Sequence, residues 1–237
     1  MIKNLGLFFL SVFLLATAGC VKDKAIYEKF GALEKKFDAL EKKLKEMSGE
    51  VVQEKPFEAA LEDSPVLGKK DALIHLVVFS NFSCPYCAKA DLAFRELIKD
   101  PELSQKINVV FKHFPFERHP NSRPAAKASF AALDQGKFWE YSDKLFNNQA
   151  TLSPENYKKW AKEVGLDVAK FEADLKANDK IYEEKIDRDI KLGAQVNLLG
   201  TPWILLNGWI YEGGLNPADF KKFIAEKHLG EKADQKP

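Results

Sequence analysis

The stretch ALIHLVVFSNFSCPYCAKA, residues 72–90, restricts this chain more than any other part of it. Residues 72–80 are almost continuously apolar and rich in β-branched side chains, the pattern of a strand buried on both faces. From Pro85 the period changes, and Ala90, Ala93, Phe94, Leu97 and Ile98 share one face of a helix. Two cysteines, Cys84 and Cys87, sit where the strand stops and the helix starts.

The remaining segments complete an α/β order. INVVFKHF, 107–114, reads as a second strand, and the region from about 115 to 197 is helical in pattern. Ser153-Pro154 and Asp179 stand there at expected helix caps. WILLNG and WIYEGG, 203–214, predict a hairpin turning at Asn207-Gly208, and NPADFKKFIAEKHL closes as an amphipathic helix. Strand, helix, strand, helical insert, hairpin, helix is the expected architecture, spanning about residues 65–229 with a disordered tail at 230–237.

Upstream, Lys3 precedes the apolar run LGLFFLSVFLLA and the small residues TAGC, which read as an export signal over residues 1–19. The run is shorter than the ~20 apolar residues that span a bilayer. TAGC resembles the lipobox of bacterial lipoproteins, which would make Cys20 the lipidated first residue, although Thr17 stands where leucine is usual. The rival cut follows Ala18, since Ala16 and Ala18 satisfy the A-x-A rule. Lipidation leaves Cys84 and Cys87 as the only thiols, in a compartment where disulfides persist.

Residues 20–51 carry Ile26, Phe30, Leu33, Phe37, Leu40, Leu44, Met47 and Val51 at alternating steps of four and three, a coiled-coil heptad. With Phe30 at position a, Lys29 would face Glu34 of a parallel second copy, and Lys36 would face Glu41. The expected use is self-association, followed by a polar linker over 52–64. The alternative is one amphipathic helix lying on its own domain. The balance of 36 basic and 35 acidic residues, without a basic stripe interleaved with aromatics, gives no reason to expect nucleic acid.

The chemistry of the pair follows from its placement. Pro85 suits the first helical position, which puts Cys84 at the N-cap and Cys87 three residues later. N–H groups and the helix dipole favour an anion at the cap. Such sites lower a cysteine pKa from about 8.5 to roughly 3.5–7.5, and the thiolate is the reactive form. Cys84 is therefore expected as the exposed nucleophile, and Cys87 as the more buried thiol that resolves a mixed disulfide. Zinc on these cysteines with His113 and His119 is disfavoured, because the loop from Cys87 to His113 contains a whole helix. The pair read by itself also leaves an inert local disulfide open.

LLGTPWILLNG places Thr201-Pro202 directly before a strand. Together with FSNFSCPYC, FPFERHPNSRPAAKA and GKFWEYSDKLF, it resembles the thioredoxin-fold family in its DsbA-like branch of exported thiol–disulfide oxidoreductases. The resemblance implies that Pro202 is cis and near Cys84, and that its backbone offers an edge for a substrate strand. It also implies that Pro85 and Tyr86 tune the redox poise. Many members carry a buried carboxylate six residues before the first cysteine, whereas Val78 stands there in this chain.

The implied protein is an envelope enzyme exchanging disulfides with cysteines of exported proteins. Its only redox group would be the Cys84–Cys87 disulfide, with no metal and no other cofactor. Expected partners are such client proteins, a membrane redox partner, further copies of the chain through residues 24–51, and the membrane through Cys20. Location would be the bacterial periplasmic side. A coiled-coil disulfide isomerase or reductase is one alternative, and a lipid-tethered holdase with incidental thiols is another.

Overall fold

The computed structural model describes residues 63–227 without a break, together with 56–58, 61, 229 and six helical positions between 32 and 40. The expected export signal, Cys20, most of the heptad segment and the tail lie outside the described residues. The chain divides into two units, 1–52 and 53–237. In the first, Ala32, Leu33, Lys35, Lys36, Ala39 and Leu40 are helical, and Leu33 and Leu40 are exposed.

The second unit is built on a five-stranded sheet. Strands β1 (Val66–Gly68), β2 (Ile74–Ser80), β3 (Ile107–His113), β4 (Trp203–Leu206) and β5 (Trp209–Ile210) lie in the order β1-β3-β2-β4-β5. Only β2 and β3 run parallel, which requires the crossover helix α1 (Pro85–Lys99) between them. Every residue of β3 is buried, which is why both strands read as apolar runs. At three residues, β1 is too short to carry a periodic signal. It was absent from the expected order.

The hairpin turns where the sequence places it. Asn207 and Gly208 both have positive φ, 46° and 82°, the conformation a two-residue hairpin needs. The Asn207 side chain accepts from the His75 N–H at 2.7 Å and donates to the Leu73 carbonyl at 2.9 Å, fastening the turn to the start of β2. Phe57 donates its N–H to the Gly208 carbonyl at 2.9 Å and crosses so close that a Cβ at Gly208 would collide with the Phe57 backbone. Phe57 lies within the expected polar linker over 52–64 and is bonded there to the hairpin turn.

Between β3 and β4 stand five helices: α2 (Ser122–Leu133), α3 (Phe138–Asn147), α4 (Pro154–Glu163), α5 (Val168–Ala177) and α6 (Asp179–Gln195). Ser153 caps α4, accepting from the Asn156 N–H at 3.3 Å. The expectation of a cap at Asp179 is corrected: Asn178 occupies the cap, and Asp179 is the first helical residue. Asn178 also ends α5, its N–H bonded to the Asp174 carbonyl, so the two helices share one junction residue. Helix α7 (Pro217–Glu226) starts at Asn216, whose side chain accepts from the Asp219 N–H at 3.0 Å.

One hydrophobic core runs from the sheet into the insert. Leu76, Val78, Val109 and Phe111 meet α1 and α7 and join insert residues such as Phe138 and Phe146. Phe111 lies at its centre, with ring centroids 5.4 Å from Phe82 and 5.2 Å from Phe138. Charged clamps lock the insert in register. Lys112 on β3 pairs with Asp189 on α6 at 3.4 Å, and the other carboxylate oxygen accepts the His113 N–H at 2.8 Å. Arg95 on α1 joins Asp91 at 2.7 Å, Asp143 at 2.7 Å and the Trp139 carbonyl at 3.2 Å. Removing one partner of a buried pair like Lys112–Asp189 would leave the other charge uncompensated in the core. Among the described residues no helix is long and apolar enough to cross a membrane.

Candidate active site

Three elements bring the sequence-predicted residues together. Strand β2 ends at Ser80, residues 81–83 turn, and Cys84 begins α1 with extended backbone (φ −97°, ψ 119°) and Pro85 as the first helical residue. The Cys84 N–H donates to the Asn81 carbonyl at 2.9 Å, which closes the turn. From the other side, the Thr201-Pro202 peptide is cis, and the Thr201 carbonyl accepts from the Cys84 thiol at 3.2 Å. Pro85 and Tyr86 project outward, with Tyr86 68% exposed.

The two sulfurs occupy unlike surroundings. Cys84 is 9% exposed and Cys87 is 1% exposed, so the order matches the expectation but the nucleophile is recessed rather than exposed. The strand-entry loop at Thr201 covers it. Both are free thiols here. A hydrogen bond from the Cys87 side chain is the largest influence on Cys84, and it lowers the pKa to about 5 against the opposing effect of burial. The N–H groups of Cys87 and Tyr86 and a side-chain bond from Thr201 push the same way. No capping bond of ordinary geometry reaches the sulfur, so a field from several donors replaces the single cap bond expected. Burial pushes Cys87 strongly upward, and the neighbouring Cys84 adds to the shift. The result is one thiolate and one thiol at neutral pH, the arrangement that thiol–disulfide exchange requires.

Several residues that sequence reasoning passed over complete the site. Gln149, in a 3₁₀ turn of the insert at 149–151, donates its amide to the carbonyls of Phe82 at 2.7 Å and Cys84 at 2.9 Å. Asn81, buried, accepts from the Ser83 N–H at 2.9 Å and the Ser122 hydroxyl at 2.7 Å, and its amide nitrogen lies 3.0 Å from His119 Nδ1. The Asn81 N–H points to the Cys87 sulfur at 3.5 Å. A lone glutamine in a short turn has no periodicity to betray it. Asn81 and Ser83 stood inside the quoted motif but carried no chemistry of their own.

The histidines do not join the cysteines. His113 is enclosed by Phe111 and Phe130, with centroids 4.9 and 4.5 Å away. Burial, helped by Lys112, pushes its pKa down to about 3 and keeps the ring neutral. His119 meets Asn81 instead. Among the described residues, no three His, Cys, Asp or Glu side chains gather as a metal site.

The family model described as Thioredoxin matches residues 60–226. Among solved structures, oxidised BdbD from Bacillus subtilis is 24% identical, covering 73% of this chain and 96% of that one with a TM-score of 0.64. The thiol-disulfide exchange protein alpha-DsbA2 from Wolbachia pipientis is 23% identical, covering 70% and 88% with a TM-score of 0.63. The catalytic domain of ScsC from Proteus mirabilis is 21% identical, covering 72% and 91% with a TM-score of 0.59. These likenesses establish the fold. By sequence, the chain also matches Na(+)/H(+) antiporters: NhaA 1 of Mycolicibacterium vanbaalenii, 33% identical over 62% of this chain and 24% of the antiporter, and NhaA 3 of Salinispora tropica, 33% identical over 64% and 22%. The chain thus spans about a quarter of the length of the curated relatives it matches. With a cysteine pair at a helix start, a facing cis-proline and a family match over most of its length, the chain belongs to the thioredoxin family and has the fold of its DsbA-like branch.

Proposed function

We propose that this chain is a thiol–disulfide oxidoreductase of the bacterial envelope, exchanging disulfides with cysteines of exported proteins through Cys84 and Cys87. The observation that carries the reading is the split between the sulfurs: Cys84 sits at the helix start against Thr201, where its pKa is lowered to about 5, while Cys87 is enclosed and burial raises its pKa. The Cys84 thiolate attacks a client disulfide and forms a mixed disulfide, and Cys87 then attacks Cys84 and releases the client thiol. In reverse, the Cys84–Cys87 disulfide oxidises a client dithiol. Stabilising the Cys84 thiolate favours the reduced protein, so its disulfide is a good oxidant. That favours the oxidase direction. Thr201 and Pro202 line the approach to Cys84, where a client strand would lie.

The heptad over residues 20–51 would join copies of the chain, and Cys20 would carry the lipid that holds it at the membrane. The exposed Leu33 and Leu40, seven residues apart, favour association and with it a second reading, disulfide isomerisation by an oligomer. Ion transport is not carried over from the antiporters, whose match covers about a quarter of their length.

Equilibration with glutathione tests the main reading. An oxidising potential marks an oxidase and a strongly reducing one a reductase, while rescue of a scrambled client marks an isomerase. A Cys84→Ser chain that keeps full activity in these assays would overturn all three.

A further inference from the structure

The resolving thiol sets a problem of charge. Whichever way the exchange runs, Cys87 passes through its thiolate, as attacking group or as leaving group. Yet it is the more enclosed sulfur, and burial opposes its charge. A carboxylate beneath it would take up the proton, but the strand offers Val78 there, packed in the apolar core.

Strand alternation shows what faces Cys87 instead. Successive β2 side chains point to opposite faces of the sheet, so Leu76, Val78 and Ser80 share a face. That face is the one under α1: Leu76 and Val78 belong to the core cluster with Cys87, Ala90 and Phe94. Ser80 is the last residue on it, four positions before Cys84, and is 3% exposed. Its side chain comes near enough to Cys87 to act against the upward push of burial on that thiol. The neighbouring Asn81 N–H reaches the same sulfur at 3.5 Å. Ser80 is held in place by its own backbone, since its carbonyl accepts the Phe114 N–H at 2.8 Å and it pairs in register with His113.

We propose that Ser80 is a catalytic residue of the resolving step, its hydroxyl donating to the Cys87 thiolate while the Asn81 N–H supplies the second donor. The inference rests on the oxidoreductase reading. In resolution, Cys87 gives its proton to solvent water, and the anion is held by these two donors. It attacks the Cys84 sulfur, the Cys84–Cys87 bond forms as the bond to the client sulfur breaks, and the departing client thiolate takes a proton. Cys84 is then oxidised with Cys87, and the client disulfide is reduced by two electrons. The reverse reaction expels the same Cys87 anion into the same two donors. A hydroxyl can do this in either direction because it stabilises the charge without keeping the proton.

The test separates the two steps. Reduced protein is mixed with oxidised glutathione, quenched in acid at intervals and weighed by mass spectrometry. Formation of the glutathione adduct reports attack by Cys84, and its decay reports resolution by Cys87. Cys87→Ser, which traps the adduct, calibrates the assay. Ser80→Ala and Ser80→Gly are expected to form the adduct at the parental rate and to resolve it about tenfold more slowly, ~1.4 kcal/mol on the barrier. A purely structural role would slow both steps or neither. Adduct decay at the parental rate in either folded variant overturns the assignment to Ser80, as does a loss confined to adduct formation. If the parental chain itself forms no adduct, the oxidoreductase reading fails and the assignment to Ser80 fails with it.

Discussion

The rim of the active site, at Cys84, and its floor, at Cys87, are one helical turn apart and treat negative charge in opposite ways. The rim is assembled from distant parts of the chain: the start of α1, the Thr201-Pro202 loop and Gln149 of the insert. The floor is assembled almost locally, from the end of β2 and the helix above it. Convergent donors at the rim stabilise a thiolate, and closure at the floor suppresses one. Reactivity arises from the contrast, since two alike thiols would either both react with solvent reagents or both stay inert.

Removing the rim sulfur tests the contrast most severely. Cys84→Ser is expected to lower disulfide exchange by at least about 1,000-fold while leaving the melting temperature of the reduced protein within a few degrees, measured by client oxidation and circular dichroism. The pH dependence sharpens it next. Alkylation of the reduced protein should fall about tenfold per unit below the Cys84 pKa of about 5 and level off above it, with no second inflection from Cys87 through neutral pH. The same shift has a stability sign. The folded pKa lies below the unfolded value of about 8.5, so the reduced form gains on the oxidised form as pH rises. The Cys84 gain is gone below about 5 and builds up to the unfolded thiol pKa, above which the raised Cys87 pKa works against the reduced form. Paired melts of the two redox forms across this window check it.

Gln149→Ala removes two donors that hold the Phe82 and Cys84 carbonyls. It should loosen the rim without touching the floor, raising the Cys84 pKa and slowing alkylation at pH 5 several-fold, read from thiolate absorbance. An unchanged Cys84 titration would show that the insert does not shape the rim. The smallest effect is assigned to Tyr86→Ala. The ring is largely solvent-exposed, so stability should stay within about 0.5 kcal/mol while the redox potential shifts slightly.

What could be read from sequence follows the same division between local and assembled. The β2–α1 junction was legible because burial, a proline at the first helical position and two cysteines all lie within one stretch. The Asn207-Gly208 turn was legible because its backbone demands those residues. Thr201-Pro202 acquired meaning only through resemblance, as nothing near it in the chain names Cys84. Gln149 was invisible, 65 residues from the cysteine whose carbonyl it holds. Strand β1 escaped because three residues cannot show a period. The depth of Cys84 was misjudged for a related reason: its cover comes from Thr201, 117 residues away. The clamp of Lys112 on Asp189 was likewise unreadable, since a lysine in an apolar strand identifies no partner.

The crossing of Phe57 over Gly208 fixes where the polypeptide enters the domain. Gly208 sits beside the first residues of β2, and Cys84 stands just beyond the last, a separation of about 20 Å along a seven-residue strand. The lead-in is therefore moored at the stern and the catalytic mouth is at the bow. A group that reaches the Cys84 sulfur therefore meets a different end of the sheet from the one where Phe57 is bonded.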